Sequence, residues 1–141
     1  MATINANISV SSNIMSYGTN INKSMTMTKA DSCTGLDETS GLNSRKFKSV
    51  AAVVIISNTE GTADKASKVY IRNTGSDKTK YFYVSLNASA SASTTTENIG
   101  KLYAGDWMLI PWVATAATTH DFCVVPSSAE TMTLEWMVFE E

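Results

Sequence analysis

Charge is scarce in this sequence. Lys, Arg, Asp and Glu make up 17% of its 141 residues, whereas a typical soluble domain carries about a quarter. We therefore expect part of the surface to be covered and not exposed to free water. The net charge is only −2 and lacks the clustered Lys and Arg that a phosphate backbone attracts, so we expect no nucleic-acid partner.

A targeting segment and a long hydrophobic run are also lacking. The first residues, MATINANISV, contain neither a basic start nor an apolar stretch of about 7 to 15 residues, which a signal peptide needs. The longest apolar run, residues 50–56, is too short to cross a bilayer. We expect a protein made in a cytoplasm, with no signal peptide and no membrane partner.

Cysteine and histidine are nearly absent. Cys33 and Cys123 are too few for a disulfide framework, so we expect free thiols and a small buried hydrophobe at Cys123. The only histidine, His120, and Cys123 would point to opposite faces of a strand, which disfavours a catalytic Cys–His pair. One histidine without clustered partners also makes a zinc or iron site improbable.

The sequence offers little else for catalysis. Glu140 and Glu141 form a terminal acidic pair that is typical of solvated surface. Gly75 follows a strand pattern, but it lacks the second glycine and the following helix of a phosphate-binding loop. We predict that the protein is not an enzyme and holds no cofactor or metal.

What the sequence does contain is a series of short strand patterns joined by polar turns. Val69 and Ile71 alternate with Tyr70 and Arg72, which is typical of a strand with one buried face. Eight or nine such segments occur at intervals of about ten residues, and no amphipathic helix is convincing. Strands with one apolar face bury it against another sheet, so we predict an all-β, two-sheet β-sandwich, either jelly-roll or immunoglobulin-like.

The patterns divide the chain into three parts. Residues 1–29 are predicted to form an extended polar N-terminal arm with strand-like segments, because residues 3–10 alternate strictly and residues 11–22 are polar and loop-like. Residues 30–46 show no sustained period and are predicted to be a loop. Residues 47–141 are predicted to form the β-sandwich core of what is a single domain overall.

Three stretches within the core carry more specific expectations. Residues 47–57 contain the apolar, β-branched run VAAVVIIS, whose length and Val/Ile content favour a central strand over a buried helix. Residues 73–77, NTGSD, predict a hairpin connection. Residues 98–112, NIGKLYAGDWMLIPW, predict two strands joined by a turn at Gly105 and Asp106. Residues 107–110 within that stretch are apolar on both faces, so we expect the second strand to be covered on both sides.

Alternation also predicts which residues form the hydrophobic core. The predicted core residues are Val53, Ile55, Val69, Ile71, Phe82, Val84, Leu86, Leu109, Phe122, Val124, Leu134 and Trp136.

Aromatic and long apolar residues on the opposite strand faces are the candidate functional residues. Loops or the N-terminal arm of the same subunit could cover them, or they could form a protein interface or a sugar platform. The candidate interface residues are Tyr70, Tyr81, Tyr83, Trp112, Met137 and Phe139.

Three segments together resemble a known group of proteins. Residues 69–86 read VYIRNTGSDKTKYFYVSL, residues 99–112 read IGKLYAGDWMLIPW and residues 131–140 read TMTLEWMVFE. Their order of strand, N-x-G turn, strand, L-x-x-G-D, apolar strand, Pro and final strand resembles that of the small β-sandwich virion structural proteins of tailed bacteriophages. This pattern of turns and strands contains no site motif from which functional residues could be carried over.

The resemblance implies a structural protein of the virion, assembled in a bacterial cytoplasm. A capsid decoration (cement) protein that binds and stabilises the shell of major capsid protein is the first expectation. A tail, collar or fibre component and a carbohydrate-binding host-recognition module are the alternatives. The expected partners are the major capsid protein or another virion protein, and further copies of the chain in a trimer or dimer. The N-terminal arm is expected to dock on a neighbouring subunit or shell protein.

Overall fold

Short antiparallel strands account for the secondary structure of the described chain. The computed structural model describes residues 4–12, 19–28, 36, 38–62, 65, 67–86, 98–113 and 120–140. Within these ranges there are eleven strands and no helix. The strands are β1 (Asn5–Ser12), β2 (Thr19–Thr26), β3 (Glu38–Thr39), β4 (Asn43–Phe47), β5 (Val53–Ile56), β6 (Ser67–Asn73), β7 (Tyr81–Leu86), β8 (Asn98–Tyr103), β9 (Trp107–Trp112), β10 (Phe122–Pro126) and β11 (Met132–Glu140). The all-β prediction is confirmed.

The strands form three antiparallel sheets. Among the described strands, β1 pairs only with β2. A four-stranded sheet has the order β5-β10-β7-β8, and a five-stranded sheet has the order β3-β11-β6-β9 with β4 also paired to β11. From β4 to β11 the pairing is nested: β4 pairs with β11, β5 with β10, β6 with β9 and β7 with β8. As a result, every connection between consecutive strands in this series crosses from one sheet to the other, except the one that joins β7 to β8.

The two larger sheets share one hydrophobic core. Phe47 of β4 and Phe82 of β7 belong to different sheets and meet edge to face with their ring centroids 5.3 Å apart. Trp112 of β9 and Phe122 of β10 form a second ring contact between the sheets, with centroids 6.0 Å apart and planes inclined by 59°. The buried members of the core are Phe47, Ile55, Ile56, Val69, Ile71, Phe82, Val84, Leu102, Trp112, Phe122, Val124, Met132, Leu134 and Val138.

The predicted core agrees with this cluster except at one residue. Val53, Leu86 and Trp136 are partly buried and pack against the core. Leu109 was assigned to the wrong face, because Met108 and Ile110 pack against the core instead. When both faces of a strand are apolar, the alternation of residues cannot show which face is buried, and this explains the error.

The apolar run at residues 47–57 does not form a central strand. β5 spans only Val53–Ile56 and lies at the edge of its sheet, paired with β10 alone among the described strands. Ile55 and Ile56 are buried, whereas Val54 is 40% exposed. The apolar β-branched run therefore predicted the burial of Ile55 and Ile56 correctly, but it predicted neither the exposure of Val54 nor the position of the strand in the sheet.

The N-terminal pattern was predicted only in part. β1 continues to Ser12 and β2 already begins at Thr19, so the predicted loop at residues 11–22 is wrong at both ends, while residues 13–18 lie outside the described chain. Backbone pairing does not require apolar side chains, so these polar residues pair as strands although their sequence shows no strand pattern. β3 and the first four residues of β4 lie within the predicted loop at residues 30–46. They were missed for the same reason, since Phe47 is the only buried residue of β4.

Two of the connections between the sheets, those after β6 and after β8, contact each other. The connection after Asn73 is not a hairpin, because β6 and β7 lie in different sheets. The predicted turn after β8 is confirmed: Gly105 has a φ of 93°, a left-handed conformation that glycine adopts without strain. The two turns are joined, since the N–H of Gly105 donates to the carbonyl of Asn73 at 2.9 Å.

Candidate functional site

Three tyrosines and a lysine lie together on the outer side of the four-stranded sheet. Tyr81 and Tyr83 meet edge to face with their ring centroids 5.1 Å apart, and the Tyr103 ring lies 5.0 Å from that of Tyr81. The β7–β8 register places Tyr81 opposite Tyr103 and Tyr83 opposite Lys101. Such cross-strand neighbours interact directly. We call Tyr81, Tyr83, Lys101 and Tyr103 the tyrosine surface.

The lysine lies over the rings of this surface. Its Nζ atom is 4.6 Å from the ring centroid of Tyr81 and 5.4 Å from that of Tyr83, which is cation–π geometry. Electrostatic interaction with Tyr81 raises the pKa of Lys101. The hydroxyls of Tyr81 and Tyr83 are 3.3 Å apart, and their hydrogen bond raises the pKa of Tyr81. The surface therefore combines three amphipathic rings with one lysine ammonium group.

A second aromatic group lies on the outer side of the five-stranded sheet. The strand register places Tyr70 of β6 between Leu109 of β9 and Met137 of β11. The rings of Tyr70 and Trp107 have centroids 6.4 Å apart and planes inclined by 35°. The two outer sides face away from each other, since the core lies between the sheets.

A cleft of about 610 Å³ separates this second group from the N-terminal hairpin. Its floor includes Tyr70, Trp107, Leu109 and Phe139, and its roof consists of Ile4 and residues 5–8 of β1. Its volume falls in the range of about 300 to 1,000 Å³ that is usual for small-molecule sites. We call it the aromatic cleft. The lining residues are Ile4, Asn5, Ala6, Asn7, Ile8, Met27, Tyr70, Arg72, Gly105, Trp107, Leu109 and Phe139.

Hydrogen bonds among three residues secure the base of the hairpin. The N–H of Met27 donates to Ile4 O at 2.9 Å, the N–H of Leu36 to Met27 O at 2.6 Å and the N–H of Ile4 to Leu36 O at 3.2 Å. Met27 and Leu36 are buried, whereas Val10 is 50% and Met25 48% exposed. The hairpin is therefore held by its own chain at the base, and part of its apolar face remains open to solvent.

The structure divides the predicted interface residues between opposite sides of the molecule. Tyr81 and Tyr83 belong to the tyrosine surface. Tyr70, Met137 and Phe139 lie on the outer side of the other sheet, where Tyr70 and Phe139 line the aromatic cleft. One flat contact area cannot include both sets.

Trp112 belongs to neither surface. It is 6% exposed, packs against Phe122 and donates from Nε1 to the carbonyl of His120 at 2.8 Å. Its assignment to an interface is therefore corrected to the core. The error has the same origin as that at Leu109, because β9 is apolar on both faces.

Sequence reasoning missed Lys101 and Tyr103 as members of a surface. A signal was available, since both flank the apolar Leu102 and must point away from it on a strand. Their contact with Tyr81 and Tyr83 could not be foreseen, because it depends on the register between β7 and β8. The outward direction of Arg72 was predicted, but its position beside Trp107 in the aromatic cleft was not.

The described residues contain few reactive groups. Cys123 is a free thiol buried in β10, as predicted, and burial raises its pKa, which disfavours the nucleophilic thiolate. The described residues include no group of three or more His, Cys, Asp or Glu side chains placed to hold a metal ion. In the same part of the chain, no helix has the length and apolar character needed to cross a membrane.

No protein-family model, curated protein or solved structure matches this chain. The functional argument therefore depends on the hairpin, the tyrosine surface and the aromatic cleft themselves.

Proposed function

We propose that this protein is a structural component of a bacteriophage virion, of the capsid decoration (cement) type, which binds the shell of major capsid protein as a homo-oligomer. The observation that carries the proposal is the β1–β2 hairpin, which pairs with no other described strand and leaves Val10 and Met25 half exposed. An isolated two-stranded hairpin is marginally stable in water. A neighbouring subunit or shell protein that covered the open part of its apolar face would stabilise it.

The nested strand pairing supports a jelly-roll β-sandwich as the finer description of the fold. Pairing of first with last, second with second-last and so on produces a long hairpin rolled into two facing sheets. An immunoglobulin-like order would pair the first two strands with each other, whereas β4 and β5 lie in different sheets. Jelly rolls occur in viral capsid proteins, lectins and cupins, so the fold is compatible with a virion role without establishing one.

The extended N-terminal arm corresponds in this proposal to the hairpin. Its base rests on its own subunit through Met27 and Leu36, so the arm reaches a neighbour with the residues beyond the base. The tyrosine surface offers a second contact area, because Tyr residues combine an apolar body with a polar hydroxyl and are enriched at interfaces.

Mass spectrometry of purified virions tests the proposal directly. The chain should be present in particles of the phage that encodes it, in a copy number proportional to that of the major capsid protein. A few copies per particle would favour the alternative of a tail, collar or fibre component. Absence of the chain from intact virions, with its presence in the infected cell, would rule out both.

A further inference from the structure

The aromatic cleft has an apolar floor that is partly open to solvent. Trp107 is 49% exposed, and its ring is inclined by only 35° to that of Tyr70. The two rings therefore present a broad and nearly continuous apolar surface. Such rings pack against the apolar face of a ligand and leave the polar edge of that ligand free for hydrogen bonds.

Among the described residues that line the cleft, Arg72 is the only charged one. Glu135 lies opposite it on β11, but the ion pairs among the described residues are those of Lys80 with Asp77 and with Glu130. The N–H donors of the Arg72 guanidinium are therefore available to a ligand. A guanidinium binds a carboxylate through two parallel hydrogen bonds, and this geometry is specific to planar anions.

Amide-bearing residues contribute further polar groups to the roof. Asn5 and Asn7 line the cleft, and each amide can both donate and accept hydrogen bonds. Asn5 Oδ1 accepts from Thr26 Oγ1 at 2.8 Å, which orients the amide and leaves its NH₂ group available. Hydroxyl groups, which both donate and accept, are suitable partners for such amides.

These features together define the ligand chemistry. A flat apolar ligand would displace water from the guanidinium and the amides without replacing its hydrogen bonds, which is costly. A small inorganic anion would make no use of the aromatic floor. A sugar has an apolar C–H face and a hydroxyl-bearing edge, and an acidic sugar adds a carboxylate.

We propose that the aromatic cleft binds an acidic saccharide, with a sugar ring against Trp107 and the sugar carboxylate on Arg72. This site is separate from the assembly role, and its test needs only the isolated chain. The probe is 3′-sialyllactose, and lactose serves as the neutral control. Binding is followed in NMR spectra of the ¹⁵N-labelled full-length chain through the indole N–H signal of Trp107.

Sialyllactose should shift the Trp107 signal and bind at least tenfold more tightly than lactose. A factor of about ten is the expected effect of one charge-assisted hydrogen bond at an exposed site. Arg72→Gln should reduce the affinity for sialyllactose roughly tenfold, to the level of lactose. Arg72→Lys should give an intermediate loss, because it keeps the charge but not the fork of donors. Trp107→Ala should abolish binding of both sugars.

Matched controls separate binding from folding. Lys46→Gln removes an exposed cation of β4 that does not line the cleft, and it should leave the affinity unchanged. Arg72 and Trp107 are exposed, so their variants should keep the melting temperature of the original protein. The proposal is overturned if sialyllactose and lactose bind with equal affinity, or if benzoate binds as tightly as sialyllactose. It is also overturned if neither sugar shifts the Trp107 indole signal at sugar concentrations well above about 1 mM.

Discussion

Asn73 connects two corners of the fold through one buried amide. Its side chain is 1% exposed, donates from Nδ2 to Leu102 O at 3.0 Å and accepts from the N–H of Gly75 at 3.0 Å. Its own N–H donates to Asp106 O. The turn after β6 and the turn between β8 and β9 therefore depend on the same residue.

Replacing Asn73 with Ala should destabilise the protein by about 1 to 3 kcal/mol, because it leaves the buried carbonyl of Leu102 without its partner. Urea unfolding would measure the change. The matched control is Asn22→Ala at an exposed position of β2, which should have an effect within about 0.5 kcal/mol. Equal stability of the two variants would contradict this role of Asn73.

Leu134 tests the register of the last strand. It is fully buried in the core, so Leu134→Ala should cost about 2 to 5 kcal/mol in the free energy of unfolding. Leu42, which is 58% exposed, provides a control of the same chemistry with little expected effect. An unchanged melting temperature for Leu134→Ala would show that this face of β11 does not contact the core.

Asp77 provides a pH-dependent contribution to stability. Its carboxylate accepts hydrogen bonds from the hydroxyl and the N–H of Thr79 at 2.7 and 3.0 Å and lies 3.1 Å from Lys80 Nζ. The Thr79 hydroxyl first, and then the other two groups, lower the pKa of Asp77 from 3.8 to about 2. Since the folded state has the lower pKa, this contribution is present above pH 3.8 and is lost as the pH falls toward 2.

NMR titration of the Asp77 carboxyl group would check this assignment. The midpoint should lie at about 2 in the original protein and should rise in Thr79→Ala, which removes the strongest of the three interactions. Thr62→Ala, at an exposed position away from this turn, should leave the midpoint unchanged. A midpoint that stays the same in Thr79→Ala would mean that the hydroxyl does not control the pKa.

At the scale of single residues, the sequence predicted which face is buried wherever the opposite face is polar. Val69 and Ile71 of β6 and Leu134 of β11 were placed correctly for this reason. Leu109 and Trp112 were not, because β9 is apolar on both faces and alternation contains no information about its orientation. The outward direction of the tyrosines was likewise predictable, whereas their grouping was not.

At the scale of elements, the sequence predicted the existence of strands better than their neighbours. The pattern at Val53–Ile56 indicated burial, yet β5 is an edge strand, since its place follows from pairing with β10. β2 and β4 were missed wholly or in part, because their pairing involves the backbone and their side chains are mainly exposed. The order of strands in a sheet depends on contacts that are distant along the chain, which local patterns do not record.

The hairpin is the element whose removal is most informative. The N–H of Met27 donates to Ile4 O at 2.9 Å, so residues 5–26 can be replaced by an Asn-Gly turn that closes a two-residue loop. This variant keeps the anchor of Ile4, Met27 and Leu36. We expect it to remain folded, with a melting temperature close to that of the original protein, and to lose attachment to virions.

A co-sedimentation assay with capsids would measure attachment, and Val10→Ser with Met25→Ser in the intact hairpin provides the matched surface variant. Both forms should remain in the supernatant. If the shortened form sedimented with capsids as well as the original protein does, the hairpin would not be the docking arm. An unfolded product would show instead that the hairpin completes the fold of its own subunit.

At the scale of the whole molecule, the hairpin and the tyrosine surface are two different patches, and we expect one to bind the other in the next copy. The Met25 thioether is suited to this contact, since sulfur packs favourably against aromatic rings. Contacts between unlike patches are head to tail and form a ring when the rotation closes. Of the two oligomeric states expected from the sequence, this arrangement favours the trimer.

A single contact of this type should be weak. Burial of Val10 and Met25 contributes roughly 1.5 to 3 kcal/mol each, whereas association costs about 4 to 15 kcal/mol in lost rigid-body freedom. A closed ring is more stable, because each subunit is held twice and a released contact re-forms at high effective concentration. The ring should therefore dissociate cooperatively when either patch is altered.

Two variants test this arrangement by complementation. Val10→Ser with Met25→Ser alters the hairpin and leaves the tyrosine surface intact, and Tyr83→Ser does the reverse. In sedimentation velocity each variant alone should be monomeric. An equimolar mixture should contain a weak one-to-one complex, because one intact hairpin can still meet one intact tyrosine surface. If the Tyr83→Ser protein alone still formed dimers, the contact would join like patches. If the unaltered protein remained monomeric at all concentrations and on capsids, the chain would not assemble with itself.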